Sequence, residues 1–158
     1  MTAPRLQINL QKIGHNARLL VRQLAKRGIT VTGVTKAALG CDAIARVMIE
    51  AGVQAVGESR VRNIESLHGA VGQTPIWMQR APMLGEASAV VSMASLSFVS
   101  ELETVAALSA AADRLDCVHH VLLMIEMGDL REGIMPGEVL EFIRQMDRFE
   151  RILLRGIG

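Results

Sequence analysis

The sequence predicts an α/β fold, a parallel sheet whose strands are joined by crossover helices. Short β-branched or apolar runs alternate with longer amphipathic stretches at intervals of about 20 to 30 residues, the pattern such a sheet requires. The composition, 50% hydrophobic and 21% charged over 158 residues, is that of a globular chain able to bury one core. Only 3% of residues are aromatic and none is Tyr, so that core is aliphatic, and no phenol of this chain can act as an acid or base. Periodicity alone leaves two architectures open, a doubly wound open sheet and a closed barrel. No GxGxxG turn follows the first strands, which argues against a dinucleotide-binding sheet.

In chain order, a first strand is expected near Leu6–Leu10, where Leu6, Ile8 and Leu10 alternate with polar residues. A helix follows over Ile13–Arg27, then a strand over Thr30–Thr35 rich in Thr and Val. The next helix covers Asp42–Ala51, with Asp42 as its cap and Gly52 as its stop. Ala55–Gly57 reads as a strand and Arg60–Gly69 as a helix; Pro75–Gln79 is the next strand and Met83–Ser92 the next helix. After a strand at Ser97–Val99 comes the plainest helix, Glu101–Leu115, where Leu102, Val105, Ala106, Leu108, Ser109 and Ala112 form one largely apolar stripe. A strand over Val118–Glu126, a helix over Pro136–Asp147 opening on a proline, and a strand over Ile152–Ile157 complete the series.

Charge and cysteine content narrow the partners. With 17 basic and 16 acidic side chains, the formal charge of +1 leaves no electrostatic footprint for nucleic acid or an anionic membrane. A small ligand or a protein partner fits better. No stretch reaches the run of about 20 apolar residues that spans a bilayer, and the amino terminus lacks a long apolar core, so a cytoplasmic location is expected. Cys41 and Cys117 match neither a metal-ligand nor a redox spacing. His15, His68, His119 and His120 form no HExxH or other metal pattern and read as structural or solvent-facing, and no GxSxG elbow suggests hydrolysis.

The residues best placed for chemistry are the polar ones at strand carboxyl ends, which form the active face of parallel α/β folds. Lys36 closes the run TVTGVTK. Desolvated there, its amine would be nucleophilic and suited to imine formation, whereas position by itself favours a side chain snorkelling to solvent. Glu58, Ser59 and Arg60 follow the next strand, Arg80 the one after, Ser100 and Glu101 the fourth, and Glu126 to Arg131 the fifth. Lys36, Arg60, Arg80 and Arg131 together could hold a carboxylate or polarise a cofactor ring. The segment EMGDLREGIMP contains Gly128 and Gly133, which permit turns few other residues accept, so Asp129, Arg131 and Glu132 are expected in a defined loop. Alternatively its charges simply favour the start of the helix after Pro136, a role that Glu132 and Glu138 fit.

The pieces INLQKIGHNA, TGVTKA, AVGESRVRNIESL, MQRAPML and, above all, LLMIEMGDLREGIMP followed by LLRGIG resemble the alanine and ornithine racemase family of fold-type III pyridoxal-phosphate enzymes. The likeness is nearest to the ornithine-racemase-like branch and runs from Arg5 to Gly158. It implies a (β/α)8 TIM-type barrel, with the Leu6–Leu10 strand preceding the barrel proper. It further implies that Lys36 carries pyridoxal 5'-phosphate as an imine, that Arg131 belongs to the active-site mouth, and that Ser59, Arg60 and Arg80 sit at neighbouring strand ends near the cofactor. The implied activity is racemisation of a free amino acid, with Lys36 as the base on one face and a homodimer as a candidate assembly. Relatives of this fold that carry the cofactor without turnover supply an alternative, a binding protein. Only six barrel strands are expected where eight are needed, and a full barrel takes about 250 residues. Residues 1–158 are therefore expected to be the front portion of one incomplete barrel domain, its closing strands and much of its phosphate site missing, so that an inactive fragment is the third reading.

Overall fold

The computed structural model describes residues 4–158. Six helices and six strands alternate: α1 (Leu10–Ala25), β1 (Thr32–Val34), α2 (Asp42–Glu50), β2 (Ala55–Glu58), α3 (Val61–Leu67), β3 (Ile76–Met78), α4 (Ala87–Met93), β4 (Leu96–Val99), α5 (Leu102–Arg114), β5 (His119–Leu123), α6 (Val139–Met146) and β6 (Ile152–Ile157). Short 3-10 turns at Lys36–Ala38, Leu84–Glu86 and Pro136–Glu138 follow β1 and precede α4 and α6.

All strand pairs are parallel, and the sheet order is β1-β2-β3-β4-β5-β6. This order settles the choice that periodicity left open. A doubly wound sheet reverses direction at a switch point, whereas here every strand lies beside its predecessor, as the staves of a barrel do. Among the described residues β1 and β6 pair with no further strand, so the barrel is unclosed.

Strand alternation divides the sheet into two unlike faces. One carries Val56, Ile76, Met78, Val99, Val121 and Leu123, which pack with Ile64 and Leu67 of α3, Val90 of α4, Val105 and Leu108 of α5, and Phe142 and Met146 of α6. At Gly33 this face packs closely on α2, where a Cβ would meet the Met48 side chain at 3.0 Å. The intervening positions are less evenly covered: Ala55, Gly57 and Leu96 are buried, but Trp77, Phe98 and Leu122 are only half-buried, and Val34 and Leu153 are 42% and 44% exposed. This second face is the one a closed barrel would enclose.

Three expectations need correction. No strand forms at Leu6–Leu10: residues 4–9 have no regular structure and Leu10 already opens α1. The Leu6/Ile8/Leu10 alternation pairs with no strand among the described residues, while Asn9 caps the helix, its Oδ1 accepting the Lys12 amide at 3.0 Å. Asp42 is not the cap of α2 either; Cys41 holds that position, and Asp42 is the first helical residue, accepting the Ala43 amide at 2.7 Å. The stripe on α5 is shifted too, with Thr104 and Ala111 buried and Ser109 only half-buried.

Candidate active site

The carboxyl ends of the strands converge on a solvent-open cavity of about 250 Å³ lined by Lys36, Ser59, Gln79, Arg80, Arg131 and Glu132. Four of the five residues expected here are thus brought together. Lys36 begins the 3-10 turn after β1, Ser59 follows β2, Arg80 follows β3, and Arg131 lies in the loop after β5. Arg60 is not among the lining residues: it takes the N-cap position of α3 and is exposed. Glu101 likewise caps α5 and does not reach the cavity.

Beneath the mouth, the ends of β1 and β2 are tied by a buried carboxylate. Glu58 has no exposed surface; its Oε2 accepts the Thr35 hydroxyl at 3.0 Å and its Oε1 the Ser59 amide at 2.7 Å. The carboxylate's partners are the residue before Lys36 and a residue of the cavity wall. Backbone bonds reinforce the tie: Thr35 N donates to the Gly57 carbonyl at 3.0 Å and Gln79 N to the Glu58 carbonyl at 2.7 Å. Gly57 admits Gln79 to the wall, because a Cβ there would fall 2.5 Å from the Gln79 carboxamide.

The loop after β5 is built on a second buried carboxylate. Glu126 accepts the amides of Gly128 and, at 3.0 Å, Leu130. These amides, Leu130 foremost, hold its pKa below the ordinary value, against the opposing effect of burial. At the foot of the loop, Glu126 N donates to the Ile134 carbonyl at 2.9 Å and Ile134 N to the Met124 carbonyl at 3.0 Å. Gly133 makes that approach feasible, since a Cβ would lie 2.5 Å from the Glu126 nitrogen and its φ is +127°.

Backbone strain gathers at the same place. Of the three non-glycine residues with positive φ among the described residues, Leu39 (52°) ends the Lys36 turn and Leu130 (51°) immediately precedes Arg131. Such conformations cost on the order of 1–2 kcal/mol each and persist where the surroundings over-determine them.

Electrostatically the mouth is a cluster of cations. Among the described residues, Lys36, Arg80 and Arg131 have no carboxylate within ion-pairing distance, although Glu132 lines the same cavity. Both buried glutamates are engaged by hydroxyl and backbone donors, which leaves the cations available for an anionic ligand. Gln79, Glu132 and the two anchoring glutamates were not expected in these roles. For Glu58 and Glu126 a usable signal existed, a charge inside an apolar strand run, which survives burial only when it is bonded.

Residues 8–158 match the model of the alanine racemase N-terminal domain. The chain is 34% identical over 145 residues to the lysine racemase of Thermotoga maritima, covering 92% of this chain and 41% of that protein. It is equally 34% identical, over 156 residues, to the ornithine racemase of Acetoanaerobium sticklandii, covering 98% of this chain and 44% of that protein. It therefore spans less than half the length of either relative. Among solved structures, alanine racemase of Clostridium difficile 630 superposes with a TM-score of 0.79 at 22% identity over 94% of this chain and 39% of its own. D-threonine aldolase from Filomicrobium marinum superposes with a TM-score of 0.87 at 19% identity, over 99% of this chain and 43% of its own. These two structures share the fold while bearing different activities, so the fold does not select between them. The family model, by contrast, matches residues 8–158: the chain belongs to the alanine racemase N-terminal domain family.

Proposed function

We propose that this chain supplies the lysine-bearing half of the active site of a pyridoxal-phosphate-dependent amino-acid racemase acting on free amino acids. The observation that carries this reading is Lys36 at the end of β1, in a cavity with Ser59, Arg80 and Arg131 and no ion-paired carboxylate among the described residues. The naming of the relatives as lysine and ornithine racemases supports it and points to diamino acids as the first substrates to try.

The residues present fit the cofactor. Pyridoxal phosphate needs a primary amine for its aldehyde and donors for its anionic groups; Lys36 is the amine, and Arg131, Arg80 and Ser59 are the donors. Arg60 is left out because it does not line the cavity. When bound, the cofactor supplies an electron-accepting ring that makes the α-proton of an attached amino acid removable. Lys36 Nζ would be the base placed to take that proton from one face. Arg131 and Arg80 would hold the substrate carboxylate or the cofactor's anionic oxygens, and neither can give up its own proton to do so. The acid for the opposite face is not a phenol of this chain, which contains no Tyr. We infer that it comes from a partner subunit or from polypeptide that completes the barrel between β6 and β1.

Borohydride reduction after incubation with pyridoxal phosphate, followed by peptide mass analysis, tests the assignment. Lys36 is expected to carry the tag, substoichiometrically in the 158-residue chain because this fold builds its phosphate site on loops after its last strands. Lys12 and Lys26, the other two lysines, serve as internal controls, and Lys36→Ala is expected to remove the tag. A tag distributed over all three lysines, or one that survives Lys36→Ala, would overturn the proposal. For turnover, the barrel-completed protein is incubated with single enantiomers in deuterated water: a racemase exchanges the α-hydrogen, whereas a cofactor carrier does not.

A further inference from the structure

The loop from Glu126 to Gly133 returns on itself. Its ends are joined by the parallel bridge between Ile125 and Ile134, and the Ile125 amide donates onward to the Gly158 carbonyl at 2.8 Å. Between these ends Met127 and Leu130 are more than 80% exposed, so apolar packing does not hold the loop's shape. Glu126 does have the contacts to hold it. It is 8% exposed, and it accepts the Gly128 and Leu130 amides on one oxygen. Loop amides converging in this way form an anion-binding concavity, filled here by the chain's own side chain.

We propose that Glu126 is the positioning residue of this site: its carboxylate, bound to the loop's backbone amides, holds Arg131 at the cavity rim beside Lys36 without neutralising it. This rests on the functional reading above. The geometry separates two tasks that one carboxylate could have confounded. A glutamate paired directly with the Arg131 guanidinium would fix that side chain but quench its charge; a glutamate bonded to amides fixes the backbone and leaves the guanidinium for a ligand. Arg131 has no carboxylate partner among the described residues and lines the cavity, as this separation requires.

The test is a double-mutant cycle on the 158-residue chain with E126Q, R131A and the double variant, read in two ways. The first is amide hydrogen exchange at Gly128 to Arg131. E126Q keeps the side chain's length but replaces one carboxylate oxygen with an NH2 group, so exchange there is expected to rise about tenfold, as loss of a charged acceptor implies. Acidifying the wild-type chain is expected to lower the protection of the same amides relative to their intrinsic exchange rate, at a pH below the ordinary carboxylate range, while E126Q shows no such transition. The second is borohydride capture of pyridoxal phosphate at Lys36. If Glu126 acts through Arg131, E126Q lowers capture about as far as R131A does and lowers it no further in the R131A background. Unchanged exchange in E126Q, or an equal loss of capture with and without Arg131, would overturn the proposal. Absence of capture at Lys36 in every variant would instead overturn the cofactor reading, and the exchange rates alone would then decide whether Glu126 orders the Arg131 loop.

Discussion

His119 stands at the start of β5 with 2% of its surface exposed, its Nε2 2.8 Å from Ser97 Oγ. Burial, with a smaller contribution from His120, pushes its pKa down to about 4 from 6.5, so it is neutral in the folded protein near neutrality. The unfolded chain binds a proton at 6.5 and the folded one only near 4, so stability falls as pH drops through that window. The loss amounts to roughly 3 kcal/mol from this one group, and denaturant melts at pH 7 and pH 4 measure it. His119→Leu, although weaker at pH 7 for leaving Ser97 Oγ unpaired, is expected to lose that part of the acid slope. Glu126 acts in the same direction at lower pH, its stabilisation present above the unfolded carboxylate value and lost as its own is passed. At this scale the cationic residues were the more legible. Lys36 and Arg80 stand out as charges at strand ends and Arg131 as a charge in a glycine-bounded loop, whereas the burial of His119 depends on residues that cover it from elsewhere in the chain. Arg60 shows the limit of the rule: placed like Ser59 at a strand end, it stands at the N-cap position of α3, exposed and off the cavity lining.

Among the connecting elements, two glycines with equally short virtual contacts should respond oppositely to alanine. At Gly133 the added Cβ meets backbone, the Glu126 nitrogen at 2.5 Å, in a positive-φ conformation. Neither can yield, so Gly133→Ala is expected to cost about 2 kcal/mol or more and to release the Arg131 loop. At Gly57 the added Cβ meets the far end of the Gln79 side chain, also at 2.5 Å. Gln79 can swing into the cavity, so Gly57→Ala is expected to leave the midpoint within about 1 kcal/mol while lowering cofactor capture. Thermal melts of both variants, with capture beside them, check the contrast. The helices and strands themselves were largely readable because amphipathic period and turn residues are local properties. The exception, Leu6–Leu10, has a strand's alternation, but a strand exists only where another edge accepts its hydrogen bonds, which no local pattern records.

For the molecule as a whole, the unclosed sheet governs solution behaviour. The barrel-type face keeps Trp77, Phe98 and Leu122 half-covered, and β6 presents Leu153 and Ile157, the latter 60% exposed, along an unpaired edge. Edges of this kind template further pairing. The isolated chain is expected to self-associate with rising concentration, and Leu153→Lys with Ile157→Lys to suppress it by charging the edge; light scattering across a concentration series reads both. Barrel topology was reachable from the sequence only through family likeness, since strand order is not written in the period of any one segment.

That strand order bears on how the chain comes to be folded. Thr32 pairs with Ala55, Val56 with Ile76, and Trp77 with Leu96: each new strand finds its partner one helix back, and none waits for a distant segment. A polypeptide leaving the ribosome from its amino terminus could add each strand-and-helix unit as it emerges. The order in which the sheet is wound is then also the order in which it is made, and β6 becomes the growing edge onto which any later unit docks.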